Sequence, residues 1–204
     1  MLFDDTYKTI ATPAEGIFRD KGSKFIAYGY PIKHEEELKP LLAGLCADHN
    51  KARHFCWAFR LTPDRSIFRL NDDGEPSGTA GRPILNSLLS ADLTNIAVIV
   101  VRYFGGTLLG VPGLINAYKS ATIEALNSAT VVEKTVNDLY KITFDYLGMN
   151  EVMKVLKEEQ IAVNSPTYDT SCSINIEIRK SKLNATLARL EVIDTLKAIY
   201  IGSV

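Results

Sequence analysis

Three acids crowd together at Asp72, Asp73 and Glu75, inside the stretch N-D-D-G-E-P-S-G-T-A-G-R-P-I-L that runs from residue 71 to 85. Carboxylates at this density can accept several hydrogen bonds, hold a cation or move a proton. Gly74, Gly78 and Gly81 permit close backbone approach around Ser77 and Thr79, while Pro76 and Pro83 stiffen the path. The loop is therefore shaped rather than floppy. Its acids do not follow the alternating pattern with a closing glutamate that a calcium loop needs, so no metal is expected there. A second glycine cluster, F-G-G-T-L-L-G-V-P-G from Phe104 to Gly113, holds Gly105 and Gly106 between an apolar run and a helix start. Free N–H groups and the positive end of a helix dipole at such a junction can receive a phosphate or carboxylate. The spacing matches neither the phosphate loop nor the dinucleotide fingerprint.

Other functional side chains flank these loops. Arg53 and His54 enter one strand, Arg82 ends the first loop, and Arg102 and Tyr103 begin the second. Brought together by the sheet, they and the acids would line one groove with guanidinium, imidazole and carboxylate groups. The plainer reading is an arginine–aspartate network that only holds the loops in place. Nucleophilic catalysis finds little support. Ser77 lies in G-E-P-S-G, which is not a G-x-S-x-G elbow, and Cys56 sits inside an apolar strand. His54 and Cys56 share a strand face, but a catalytic pair needs hydrogen-bond contact that this spacing does not guarantee.

The elements that must position these groups read as follows. T-Y-K-T-I-A and K-F-I-A-Y-G-Y have strand composition, with turns expected at Gly16 and at residues 21–23. Leu38, Leu41, Leu42, Leu45 and Cys46 recur at helical spacing between His34 and His49, two histidines expected to be solvated or capping. Strands follow over 54–61 and 66–70, a short helix over 83–89, and a strand buried on both faces over 96–101. Pro112 suits the first position of a helix reaching about Asn127, with Leu114, Tyr118, Ala121 and Ala125 on its apolar face. From there the texture changes, and two strand–helix–strand halves follow. The first helix turns Met149, Val152, Met153 and Leu156 inward between strands 139–144 and 161–168. The second turns Leu183, Leu187 and Leu190 inward between strands 172–178 and 196–201. This βαββαβ order is that of a ferredoxin-like split unit. The fold class is α+β, with domains expected at 1–130 and 131–204.

With 204 residues, 46% of them hydrophobic, the chain can bury a substantial core. Its net charge of -1 and the balance of charge within both parts exclude a basic arm, so any contact with nucleic acid must be local. Cys46, Cys56 and Cys172 are odd in number and lack zinc-like spacing, which predicts buried free thiols. No apolar run approaches the roughly 20 residues a membrane span needs, and the first residues carry acids where a secretory signal carries bases. A reducing cytoplasm is the expected location.

Three stretches taken together carry a resemblance: A-R-H-F-C-W-A-F at 52–59, the acidic loop at 71–85, and V-V-R-Y-F-G-G-T-L-L-G-V-P-G-L-I-N-A-Y at 100–118. In this order they resemble the IMPACT family, and the two-part chain is similar to its bacterial YigZ branch. The resemblance implies an amino-terminal domain like domain 2 of ribosomal protein S-five and a carboxyl-terminal domain like domain V of elongation factor G. It also implies a non-enzymatic, translation-linked role, since eukaryotic relatives occupy a protein partner of the amino-acid-starvation kinase. The expected partner is RNA, the ribosome or a translation factor, with no cofactor. The site carried over consists of Arg53, His54, the loop from Asp72 to Gly81, and Arg102 to Gly106. One alternative is a hydrolase or phosphotransfer enzyme in which residues 105–110 hold an anion and Asp73, Glu75 or His54 moves a proton. Another is a simple protein-interaction module.

Overall fold

The computed structural model of the chain describes residues 5–161, 163–168 and 171–203. In chain order the elements are β1 (Thr6–Ile10), β2 (Ala14–Asp20), β3 (Ser23–Pro31), α1 (Leu38–Asp48), β4 (His54–Leu61), β5 (Ile67–Asn71), α2 (Gly81–Ser90), β6 (Ile96–Tyr103), α3 (Gly110–Ser128) and β7 (Val131–Thr135). Then come β8 (Asn137–Asp145), α4 (Met149–Glu158), β9 (Val163–Tyr168), β10 (Ser171–Arg179), α5 (Leu183–Leu190) and β11 (Lys197–Ser203). Residue 162, inside the expected 161–168 strand, lies outside the described residues.

Two compact units divide the chain, one formed by Tyr7–Lys134 and the other by residues 135–203 with Asp5 and Thr6. The cut therefore falls a few residues beyond the expected 130/131. Strand β7 pairs with β1, which keeps residues 131–134 with the first unit. At the other end, Asp5 is claimed by the second unit through a forked bond: Arg179 Nε donates to Oδ2 at 2.7 Å and Nη2 to Oδ1 at 2.8 Å. The Ser181 N–H adds a third bond at 3.1 Å. Hydrogen bonding from Arg179, then Ser181, holds the Asp5 carboxyl well below its ordinary pKa.

In the first unit five antiparallel strands lie in the order β2-β3-β6-β4-β5. Alternation along β4 sorts its side chains by size. Cys56 and Ala58 join Ala27, Val98 and Val100 beneath α2 and α3, whereas Phe59 and Leu61 join Ile99 and Val101 beneath α1. Small residues on one face let α3 come close with its own Ala117, Ala121 and Ala125. Central strand β6 is buried at every position from Ile96 to Arg102, each full burial of an isoleucine or valine contributing about 1.5–3 kcal/mol.

Close approach also explains Gly16, which is not the turn its residue type suggested but a position inside β2. A Cβ there would lie 2.1 Å from the Ala125 backbone nitrogen of α3. Pro112 occupies the third position of α3 rather than the first, because the helix already begins at Gly110. It remains within the first turn, where a missing N–H leaves no helical bond unmade. His49 follows the last residue of α1 as its cap, but it is half-buried rather than solvated. Its ring bridges the Tyr28 hydroxyl at 2.9 Å and the Tyr103 hydroxyl at 2.8 Å.

The second unit has the order β8-α4-β9-β10-α5-β11 and an antiparallel sheet arranged β11-β8-β10-β9. Ile142, Phe144, Ile174, Ile176 and Ile178 face Val152, Leu156 and Leu190 in its core. Met153, expected inward, is exposed; Val155 takes the buried position three residues from Val152.

Candidate functional site

Antiparallel pairing gathers both glycine loops at one edge of the first unit's sheet. His54 at the start of β4 stands opposite Arg102 near the end of β6, and Trp57 opposite Asn71 at the end of β5. From that edge the acidic loop leaves toward α2 and the second loop toward α3.

Acidic side chains in the first loop turn back onto its own backbone. Asp72 Oδ1 accepts the N–H groups of Ala80 at 3.0 Å and Gly81 at 2.8 Å, and Oδ2 accepts that of Gly78 at 2.9 Å. Ala80 and Gly81 open α2, so Asp72 satisfies helix-start donors that the cap residue Ala80 has no side chain to reach. Asp73 adopts a left-handed φ of 41°, accepts the Phe55 N–H on Oδ2 at 2.7 Å, and donates its own N–H to Asn71 Oδ1 at 2.7 Å. Its carbonyl receives the His54 Nδ1–H at 2.9 Å, which fixes that ring's tautomer. Gly74 packs against the same ring, and Thr79 Oγ1 donates to the Pro76 carbonyl at 2.7 Å.

Glu75 is the deepest of the three acids. Its side chain is only 3% exposed, and Oε1 accepts both Arg102 Nη1 at 2.5 Å and the Tyr118 hydroxyl at 2.7 Å. Arg102, itself 6% exposed, lies within 5.4 Å of the Phe25 ring centre and 5.6 Å of that of Phe104. Cys56 Sγ sits 3.0 Å from the Asp72 carbonyl oxygen and 3.2 Å from the Tyr118 hydroxyl. Desolvation by burial pushes both the Cys56 thiol and the Tyr118 phenol far above their ordinary pKa values. Neither group ionises near neutrality, so no thiolate or phenolate is available here as a nucleophile.

The expectation that these groups line an open groove is thus corrected for Asp72, Glu75 and Arg102. Burial of a carboxylate is tolerable only with donors around it, and this loop supplies them from itself, from β6 and from α3. Tyr103 is drawn away from the cluster as well. It neighbours Arg102 in a strand, so it faces the opposite side and meets His49. Gly105, read as an open amide, donates its N–H to Ser23 Oγ at 3.1 Å and presses on the β2–β3 turn, where a Cβ would lie 1.9 Å from the Gly22 carbonyl carbon. Gly106 and Gly78 are exposed, as is Arg53.

Sequence reading missed Tyr118, taken only as core, and the aromatic bracket of Phe25 and Phe104 around Arg102. A signal was present: a tyrosine on an apolar helix face needs a partner for its hydroxyl, and a glycine-rich loop can carry an acid inward to meet it. Beyond the network, the second loop and the first turn of α3 leave Phe104 (54% exposed), Leu108 (83%) and Val111 (52%) in contact with solvent. Among the described residues, no three His, Cys, Asp or Glu side chains stand together as a metal site.

Residues 21–126 match the family described as the Impact N-terminal domain. Over 180 residues the chain is 31% identical to the IMPACT family member YvyE of Bacillus subtilis, covering 88% of this chain and 83% of that protein. It is 30% identical over 182 residues to the IMPACT family member YigZ of Escherichia coli, covering 88% and 89% respectively. A solved structure described as that of a hypothetical protein superposes on 97% of this chain and 98% of its own with a TM-score of 0.74 at 28% identity.

Proposed function

Since the chain belongs to the IMPACT family, we propose that it is a translation-linked regulator that works by binding, with the loop edge of its first unit as the contact surface. Its partner in this reading is RNA, the ribosome or a translation factor. The single observation that carries the proposal is the contrast at that edge. Asp72, Asp73 and Glu75 are engaged internally and Cys56 is kept neutral, while Phe104, Leu108 and Arg53 face solvent. Exposed apolar and aromatic groups, with a cation at the same edge, form the kind of surface that docks rather than reacts.

The same reading extends to fold ancestry. The five-stranded sheet with two helices on one face supports a unit like domain 2 of ribosomal protein S-five. The βαββαβ unit with order β11-β8-β10-β9 supports a ferredoxin-like domain like domain V of elongation factor G. This part of the argument is analogy between folds. The hydrolase or phosphotransfer alternative loses support from the engagement of Glu75 and Asp73, two of the proton carriers it requires. Among the described residues no helix is long and apolar enough to cross a membrane.

Ribosome co-sedimentation from cell extract, repeated at rising salt, tests the proposal. Association is expected at low salt and should weaken as salt rises, because contacts to phosphate release counterions. Arg53→Glu and Leu108→Asp should each reduce it without loss of fold. Absence of both ribosome association and RNA binding by the wild-type protein would remove the reading.

A further inference from the structure

A second surface lies between α2 and α3; it takes in Gly78 of the acidic loop but none of that loop's acids. There a cleft of about 580 Å³ is bordered by Arg82 and Pro83 of α2 and by Ile115, Lys119, Ile123 and Leu126 of α3. Ile115, Lys119 and Ile123 follow one another four residues apart, so they form a single ridge along α3. Ile115 and Ile123 remain 39% and 37% exposed on that ridge. We propose that this cleft is the docking groove for an acidic amphipathic helix of a partner protein.

Charge argues for the sign of the occupant. The chain as a whole is balanced at -1, yet this cleft carries Arg82 on one wall, Lys119 on the other, and no acidic residue in its lining. Neither cation has an ion-pair partner among the described residues. Arg82 is also the second residue of α2, where the positive end of the helix disfavours a cation. Asp72 already meets that helix end, so a partner carboxylate gains here an ion pair with the Arg82 guanidinium.

Geometry argues for a helix. Both walls are helical and their backbone groups already bond within α2 and α3, so an extended segment would find no strand edge to join. Measured along α3, the cleft runs from Ile115 to Asn127, about 18 Å at the helical rise, or about three turns of an occupant. Apolar side chains spaced three and four residues apart can seat on Ile115, Ile123 and Leu126 while flanking glutamates reach Arg82 and Lys119. A second copy of this chain does not offer such a face from α4, which mixes Glu151 and Glu158 with Lys154 and Lys157.

The test uses the full chain and a fluorescent peptide of about 18 residues with leucines on one helical face and glutamates beside them. Saturable binding is expected by anisotropy, with hydrogen-exchange protection appearing in α2 and α3. A scrambled peptide of equal composition, and the double variant Arg82→Glu/Lys119→Glu, should each bind at least about tenfold more weakly. A peptide with lysine in place of glutamate should recover binding to the double variant. Ile123→Asp supplies an independent probe, and thermal unfolding checks that every variant folds. The proposal is overturned by equal binding of the scrambled peptide, by indifference to both charge reversals, by protection mapping elsewhere, or by self-association that these variants abolish. None of these outcomes bears on ribosome association at the loop edge.

Discussion

The two loops that leave the same sheet edge solve the problem of an exposed connection in opposite ways. Residues 71–81 fold their charges inward: Asp72 holds three backbone N–H groups, Asp73 a fourth, and Glu75 an arginine and a tyrosine. Residues 104–110 keep one backbone anchor, Gly105 on Ser23, and turn Phe104 and Leu108 outward. A loop rich in carboxylates is here the rigid one, and a loop rich in glycine and leucine presents surface. Composition alone suggests the reverse assignment, with the acids as the reactive face.

The sharpest way to break this contrast is to remove the deepest acid. Glu75→Ala leaves Arg102 buried between two aromatic rings without its carboxylate and takes the acceptor from Tyr118. A loss of about 3–5 kcal/mol is expected from urea unfolding, the usual cost of stranding one member of a buried ion pair. Glu75→Gln should cost less, because its amide oxygen still accepts a hydrogen bond. If Glu75→Ala unfolds at the wild-type urea midpoint, the inward reading of this loop fails. Asp72→Ala comes next, at about 1–2 kcal/mol, since it removes the acceptor that caps α2 from a distance. Amide exchange at Gly78, Ala80 and Gly81 should speed up in that variant while that of Gly105 stays unchanged.

Cys56 offers a chemical reporter beneath the first loop. Its pKa is raised in the folded protein, so the folded state keeps the proton after the unfolded chain has released it. Stability linked to this thiol is therefore complete below the ordinary thiol value of 9.0 and declines as pH rises past it, by up to about 1.4 kcal/mol per pH unit. Comparison of wild type with Cys56→Ala between about pH 8.5 and 10.5 should isolate that slope. Parallel slopes would mean that the thiol is not held as the structure places it. Alkylation gives the same contrast near neutrality: Cys46, which is exposed on α1 rather than buried as expected, should react at once and Cys56 slowly, with Asp72→Ala accelerating only the latter.

How much of this was legible follows from what each residue's signal encodes. Alternation in H-F-C-W-A-F-R-L and the unbroken run I-A-V-I-V-V report burial directly, so β4 and β6 could be placed from periodicity. Gly16 and Met153 were misplaced because a residue type does not say which neighbour approaches it: a helix backbone presses on Gly16, and solvent meets Met153. The same gap explains the site. Asp72, Glu75 and Arg102 were identifiable as special from their setting, but their burial depends on Tyr118, 43 positions along the chain from Glu75. No local pattern carries a contact of that range. Arg82 and Lys119, 37 positions apart, became partners in one cleft only once α2 and α3 were packed.

The smallest expected effect on stability separates the outward loop from the inward one. Leu108 is 83% exposed, so Leu108→Asp removes almost no buried area, and its stability should stay within about 0.5 kcal/mol of wild type. If Leu108 belongs to the contact surface, the same change places a charge where an apolar contact forms, and ribosome association should fall while the urea midpoint stands still. The inverse pattern is expected for Asp72→Ala, with stability lost first and association affected only as far as unfolding allows. A Leu108→Asp protein that is markedly destabilised would show the second loop to be held by packing like the first. One that binds unchanged would move the contact surface elsewhere, because a carboxylate in the middle of an apolar docking patch cannot be energetically silent.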